Sequence, residues 1–132
     1  MPARKKFTIE EYTSPDPVFV DPSTKVDDVV ALLQQHGFRH LPVVEDGKVV
    51  GIISDRDILL ARPDGAREHL VAREVMTRNP YSVTPDAPLE EVALELSRRK
   101  FGSAVVVDED GELQGIFTST DALNALIELL RQ

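Results

Sequence analysis

The chain repeats itself, and this internal duplication constrains the fold more than any other feature of the sequence. Residues 15–38 align with residues 78–101 at a constant offset of 63. One additional residue in the second half shifts the offset to 64, after which 51–59 aligns with 115–123. A repeat of this length predicts two structural units that bury a face against each other.

Each repeat is predicted to fold as strand, helix, strand, strand, helix, which gives an α/β (α+β) class. Extended pieces at 18–20 and 81–83 come first, and each is followed by a proline. Thr24 with Asp27 then predicts a capping box at the first helix. Apolar residues recur at helical spacing in both copies and predict one buried stripe per helix: Val26, Val29, Val30 and Leu33, and Leu89, Val92, Ala93 and Leu96.

The remaining elements of each repeat are a hairpin and a second helix. Alternating apolar runs around a turn predict hairpins of 41–44 with 49–53 and of 104–107 with 113–117. A helix is predicted to follow Ser54 and Thr118.

Four segments follow from this order of elements. Residues 1–8 are expected to be a flexible basic tail, 9–62 the first repeat, 63–73 a connection and 74–132 the second repeat. The connection contains a Pro-Asp-Gly turn signal and many charges, and its helical content stays open.

Composition excludes several classes of partner. The 15 Lys and Arg against 23 Asp and Glu give a formal net charge of −8, which repels a phosphate backbone and argues against nucleic acid and anionic membranes. There is no cysteine. No apolar run approaches the roughly 20 residues that span a bilayer, and the start of the chain does not resemble a secretory signal. We therefore expect a cytoplasmic protein with no nucleic-acid or membrane partner.

The sequence gives little support for an enzyme. His36, His40 and His69 lack a metal-binding spacing, so no metal site is predicted. No Walker loop is present either. We therefore expect neither catalytic residues nor a required cofactor.

The motif Gly-Ile-Ile-Ser-x-x-Asp at 51–57 recurs as Gly-Ile-Phe-Thr-x-x-Asp at 115–121, each time at a predicted strand-to-helix junction. One interpretation is a helix cap, in which the hydroxyl and the carboxylate satisfy free backbone amides. The other is a nucleotide site, in which the helix amides hold a phosphate and the Asp accepts from two ribose hydroxyls. In that second interpretation the glycine lets a flat base approach the backbone.

These motifs, with 41–44 (Leu-Pro-Val-Val), 105–108 (Val-Val-Val-Asp), the two Asp-Gly turns and 75–77 (Val-Met-Thr), make the chain resemble the CBS-domain family, whose pairs form Bateman modules. The resemblance runs from about residue 9 to the C-terminus. Residues 12–14 (Tyr-Thr-Ser) are less typical than 75–77. The resemblance to the family implies two repeats packed sheet to sheet with pseudo-twofold symmetry and two clefts for adenine nucleotides.

Each implied cleft takes residues from both repeats. Cleft B has Arg39 and His40 near a phosphate, whereas their counterparts Gly102 and Ser103 leave cleft A with Arg56 as its cation. A solvated strand-edge Arg39 and a surface or half-buried His40 are the alternatives. The implied ligand-binding residues are Ile52, Ser54, Arg56, Asp57, Tyr81, Ser82, Gly102 and Ser103 in cleft A, and Val18, Phe19, Arg39, His40, Ile116, Thr118 and Asp121 in cleft B.

The leading hypothesis is a regulatory module that binds AMP, ADP, ATP or another adenosyl compound and signals to a partner protein or through a homodimer. A ligand-independent dimerisation or scaffold module is the alternative, and a Mg²⁺ sensor ranks below both. The candidate dimer surface is the apolar stripe of the last helix, which could instead pack inside the module: Leu123, Leu126, Ile127 and Leu130.

Overall fold

Two three-stranded sheets with their helices make up the chain, which confirms the predicted α/β class. The computed structural model describes residues 6–62, 64 and 67–132. The elements are a 3-10 helix Ile9–Glu11, α1 Val26–His36, β1 His40–Glu45, β2 Lys48–Ser54, α2 Asp55–Ala61, α3 Ala72–Val75, β3 Thr77–Arg78, β4 Ser82–Val83, α4 Leu89–Arg99, β5 Ser103–Val107, β6 Leu113–Thr118 and α5 Ser119–Leu130.

The chain divides into two compact units that do not follow the linear order of the repeats. The first unit comprises 18–80 with 111–113. The second unit comprises 81–110 and 114–132 together with the N-terminal segment up to residue 17. The predicted tail lies largely outside the described residues, but the carbonyl of Phe7 accepts from the Leu89 N–H at 2.9 Å within the second unit.

The sheet of the first unit has the order β1-β2-β3 with antiparallel pairing. The register places Leu41 opposite Ile53, so the predicted hairpin is confirmed. Asp46 and Gly47 form its turn with φ of 51° and 80°, which the glycine adopts without steric cost. Strand β3 was not predicted, because two residues carry no alternation that a sequence pattern could reveal.

Helix α1 buries Val26, Val29 and Leu33, as its apolar stripe predicts. The predicted Thr24–Asp27 capping box is wrong. The helix begins one residue later than that box requires, with Lys25 at the N-cap, and the Thr24 hydroxyl accepts from the Asp21 N–H at 3.1 Å. A local turn therefore takes the hydroxyl that the helix would have used.

Each unit has its own apolar core. A helix, a sheet and a connecting segment contribute to each core. In this layered arrangement the small sheet buries one face against the helix. The buried residues are Val20, Val26, Val29, Leu33, Leu41, Val43, Ile53, Ile58 and Ala72 in the first unit, and Ile9, Leu89, Val92, Leu96, Ala104, Val106, Phe117 and Ala125 in the second.

The segment that precedes each repeat packs in the unit built on the other repeat. In the second unit the Ile9 N–H donates to the Ala87 carbonyl at 3.0 Å. In the first unit the Ala72 N–H donates to the Thr24 carbonyl at 2.8 Å. Ile9 and Ala72 align at the offset of 63, and both are fully buried. We call 6–17 and 70–80 the arms.

Helix α5 packs against its core through one face and leaves the candidate dimer stripe on the other. Ala125 is buried and Ala122 and Leu129 pack against the core. The predicted stripe of Leu123, Leu126, Ile127 and Leu130 is exposed, so the alternative in which it packs inside the module is wrong. None of the helices in the described ranges is long and apolar enough to span a membrane.

Candidate functional site

The first copy of the motif lies where β2 ends and α2 begins. Ser54 is extended, with φ of −119° and ψ of 165°, and its hydroxyl accepts from the Asp57 N–H at 3.0 Å. The Asp57 Oδ2 in turn accepts from the Ser54 N–H at 3.0 Å. The capping interpretation of this copy is therefore confirmed, and it leaves the outer part of the carboxylate available for other donors.

Arg39 and His40 lie beside this junction because the hairpin register pairs His40 with Ser54. The Asp55 N–H donates to the Arg39 carbonyl at 3.2 Å, which fixes the backbone of the Arg39–His40 step to the start of α2. The side chain of Arg39 is exposed, and His40 is partly buried. One cation and one titratable ring thus stand next to the motif of their own unit.

Burial lowers the pKa of His40, since the neutral imidazole loses less hydration than the cation. The positive charge of Arg39 also lowers it, while Asp55 and Asp57 raise it. Burial is the largest of these influences. His40 is therefore mainly neutral at pH 7 and can both donate and accept a hydrogen bond.

The second copy of the motif forms the same cap between β6 and α5. The Thr118 hydroxyl accepts from the Asp121 N–H at 3.2 Å, and the Asp121 Oδ2 accepts from the Thr118 N–H at 2.8 Å. The Ser119 N–H donates to the Gly102 carbonyl at 3.1 Å, as Asp55 does to Arg39 in the first unit. The second unit thus repeats the backbone of the first without its cation and its imidazole.

The two motif carboxylates have different neighbours. The Thr77 hydroxyl donates to Asp57 Oδ1 at 3.2 Å. Asp121 Oδ2 instead accepts from the Thr118 hydroxyl at 3.0 Å. Sequence reasoning missed Thr77 as a site residue, and its alignment with Ser14 carries no signal of this difference, because both side chains have a hydroxyl.

The motif glycines pack against the arms. A Cβ on Gly51 would lie 2.6 Å from the Met76 sulfur and 2.9 Å from the Thr77 carbonyl oxygen. On Gly115 it would lie 2.5 Å from Cγ2 of Thr13. The interpretation that these glycines admit a flat base is therefore wrong, because a protein strand occupies that space.

The adenine-side segments differ between the units. In the second unit Tyr81 packs against Phe101 with ring centroids 5.8 Å apart, and burial raises the pKa of its hydroxyl. Ser82 pairs with Val105 in the parallel β4–β5 register. In the first unit Val18 packs on the core, whereas Phe19 is 53% exposed. Aromatic surface is present on both segments, at non-equivalent positions.

The structure groups the predicted residues by unit. The first unit brings together Arg39, His40, Ser54 and Asp57, and the second unit holds the equivalent positions. Arg56 is exposed, and its N–H donates to Asp55 Oδ1 at 2.8 Å. Within the described part of the chain, no three His, Asp or Glu side chains are placed to hold a metal ion. The chemistry of the two motifs is that of hydroxyls and carboxylates, and Arg39 and Arg56 add cations near the motif of the first unit.

The family model of the CBS domain matches residues 9–64 and 72–128. The chain belongs to the CBS-domain family. The two matches together take in both motifs and both hairpins, so the family assignment confirms the resemblance drawn from the sequence.

Solved CBS pairs have the same fold. CBSX2 of Arabidopsis thaliana, in complex with AMP, superposes with a TM-score of 0.84 at 33% identity and covers 95% of this chain and 99% of its own. The CBS domain pair of protein MJ0100, in complex with 5′-methylthioadenosine and S-adenosyl-L-methionine, has a TM-score of 0.84 at 28% identity over 95% of this chain and 99% of its own.

Curated relatives include longer proteins. Protein MJ0188 of Methanocaldococcus jannaschii is 35% identical over 122 residues, which are 91% of this chain and 44% of that protein. The chain spans less than half the length of the first curated relatives that it matches.

Proposed function

We propose that this CBS pair is a non-catalytic regulatory module that binds an adenine nucleotide or another adenosyl compound and transmits its occupancy to a partner protein or through a homodimer. The observation that supports this proposal is the doubled Ser/Thr-x-x-Asp cap, which sets a hydroxyl and a carboxylate together at a helix N-terminus in each unit. These groups match a ribose diol and a phosphate.

The ligands of related CBS pairs support this chemistry. CBSX2 is solved with AMP, and the MJ0100 pair is solved with methylthioadenosine and S-adenosylmethionine. All three ligands share adenosine, and they differ in the group on the ribose 5′ carbon. We infer that the present chain recognises the adenosine part through the two motifs, while the cations decide which 5′ group is preferred.

The two proposed clefts keep the residue sets that the family resemblance implies. In these sets Arg39 and His40, which lie beside Ser54 in their own unit, serve the motif of the other repeat. Cleft A contains Ser54 and Asp57, with Arg56 as its cation. Cleft B contains Thr118 and Asp121 with Arg39 and His40. Charge-assisted hydrogen bonds are worth roughly 1.5–3 kcal/mol each, so we expect a ligand with a 5′ phosphate to prefer cleft B.

A thermal-shift screen tests the proposed function. AMP, ADP, ATP, S-adenosylmethionine and NADH are compared at about 1 mM, because a ligand at about 100 times its Kd adds roughly 2.7 kcal/mol to stability. At least one compound is expected to raise Tm. No shift with any of the five, together with flat calorimetry, would support the scaffold alternative instead.

The homodimer is a separate part of the proposal. Leu123, Leu126, Ile127 and Leu130 are between 46% and 76% exposed on one helix, and apolar stripes of this size are common at subunit contacts. We expect a dimer by light scattering at high micromolar concentration and a shift toward monomer in Leu126→Glu. A monomer in the native protein at that concentration would refute this part alone.

A further inference from the structure

We propose that Thr77 is a positioning residue that orients the Asp57 carboxylate for a ribose diol, a role that the second unit lacks. This inference rests on the proposed function, since it concerns how one of its two motifs recognises the ligand. Its evidence is the difference between the two units in the hydrogen bonds that the motif carboxylates accept.

In the first unit the hydrogen bonds fix the carboxylate through both of its oxygens. Oδ2 accepts from the Ser54 N–H at 3.0 Å, and Oδ1 accepts from the Thr77 hydroxyl at 3.2 Å. A carboxylate held at both oxygens has a fixed plane. Each oxygen still has a second lone-pair direction, so two neighbouring hydroxyls of a ribose can donate to it.

The arm holds Thr77 in place through its backbone. Strand β3 pairs antiparallel with β2, and the register places Thr77 opposite Ile52, two residues before Ser54. The Met76 N–H donates to the Ala72 carbonyl at 2.8 Å. Gly51 gives the close approach that this pairing needs, since a Cβ there would lie 2.9 Å from the Thr77 carbonyl oxygen. The hydroxyl therefore meets Asp57 from a fixed strand.

The second unit has the same backbone without this contact. Ser14 bridges Ile116 as Thr77 bridges Ile52, and Gly115 lies against the Thr13–Ser14 step. Among the hydrogen bonds of the described residues, those accepted by the Asp121 carboxylate come from Thr118 and go to Oδ2. The plane of Asp121 is thus fixed at one oxygen, and that of Asp57 at two.

Titration calorimetry with AMP and 2′,3′-dideoxy-AMP tests this role. An Asp121→Asn background isolates the Asp57 motif. On it, Thr77→Val removes the hydroxyl at constant shape, Thr77→Ser restores it, and Ser14→Ala is the matched control in the other arm. We expect Thr77→Val to weaken AMP binding about 3- to 10-fold, in proportion to one net hydrogen bond. Thr77→Val should leave the affinity for the dideoxy analogue unchanged from that of the background. Thr77→Ser and Ser14→Ala should bind AMP with the affinity of the background.

The outcomes separate this inference from the proposed function. Unchanged AMP affinity in Thr77→Val, or an equal loss for both nucleotides, would overturn the positioning role. Binding of AMP by the native chain but not by the Asp121→Asn background would also overturn it, and would leave the proposed function in place. Absence of binding by the native chain would remove the proposed function and this inference together.

Discussion

The two units share a backbone and differ in the side chains around it. Both have a capped strand-to-helix junction, an arm at the sheet edge and a carbonyl that accepts from the first residue of the second helix. The first unit adds Arg39 and His40, where the second has Gly102 and Ser103. A duplicated fold can therefore keep its framework while the charge at equivalent positions differs, and the sharpest tests compare such positions.

The largest effect is expected at the arm of the second unit. Ile9 is fully buried in that core, whereas its equivalent in the first unit is the small Ala72. Ile9→Ala should reduce the free energy of unfolding by about 2–5 kcal/mol, because it leaves a cavity where Ala72 leaves none. Urea denaturation measures this loss.

An exposed neighbour provides the control for Ile9→Ala. Glu10→Ala should change stability by less than about 0.5 kcal/mol, as substitutions at exposed positions usually do. A loss below about 1 kcal/mol for Ile9→Ala would show that the arm is not part of the core.

A smaller effect is expected at the ends of the two first helices. Gly37 and Lys100 are equivalent, and both are left-handed, with φ of 69° and 56°. Nothing lies within 4 Å of a Cβ at Gly37, so the effect of a substitution there depends on backbone conformation alone. Gly37→Ala should destabilise by about 1 kcal/mol, and Lys100→Gly should stabilise by a similar amount. Opposite signs in thermal denaturation confirm the pair, and equal signs contradict it.

Local pattern explains what the sequence could predict. The stripes of α1 and α4, the hairpin turn at Asp46–Gly47 and the two caps depend on residues that are close in the chain, and they were predicted. The packing of Ile9 beneath Ala87 and the pairing of Thr77 with Ile52 join distant segments without periodicity, so they were not. The Thr24 cap failed for a local reason, since Asp21 offered its hydroxyl a competing turn.

The candidate site was predictable to the same extent. Both Ser/Thr-x-x-Asp pairs lie where the motif indicated, because a cap needs only four consecutive residues. The role of Gly51 could not be predicted, because the groups that approach it belong to Met76 and Thr77, which are 25 residues or more away in the sequence. Assignment of residues to the two clefts stays a prediction.

The smallest expected effect depends on pH and is confined to the first unit. Because burial lowers the pKa of His40 below its ordinary 6.5, the unfolded chain binds a proton at this residue more readily than the folded one. The stability that the neutral His40 side chain gives to the folded state is therefore fully present above about pH 6.5 and is lost as the pH falls through the folded-state pKa. His40→Gln should abolish this part of the pH dependence in urea denaturation between about pH 5 and pH 8. Ser103→Ala is the control. If the free energy of unfolding of His40→Gln keeps the pH dependence of the native chain, the role of His40 is contradicted.

The most direct test of adenosine recognition by the two motifs is titration calorimetry with AMP on the native chain, Asp57→Ala and Asp121→Ala. We predict that the native chain binds AMP, that Asp121→Ala loses the tighter binding event, and that the two clefts differ by one to two decades in Kd. Asp57→Ala should affect only the weaker event. Both variants should lose about 1 kcal/mol of stability through their caps. Unchanged AMP affinity in both, alongside that stability loss, would contradict the account and leave the motifs as helix caps.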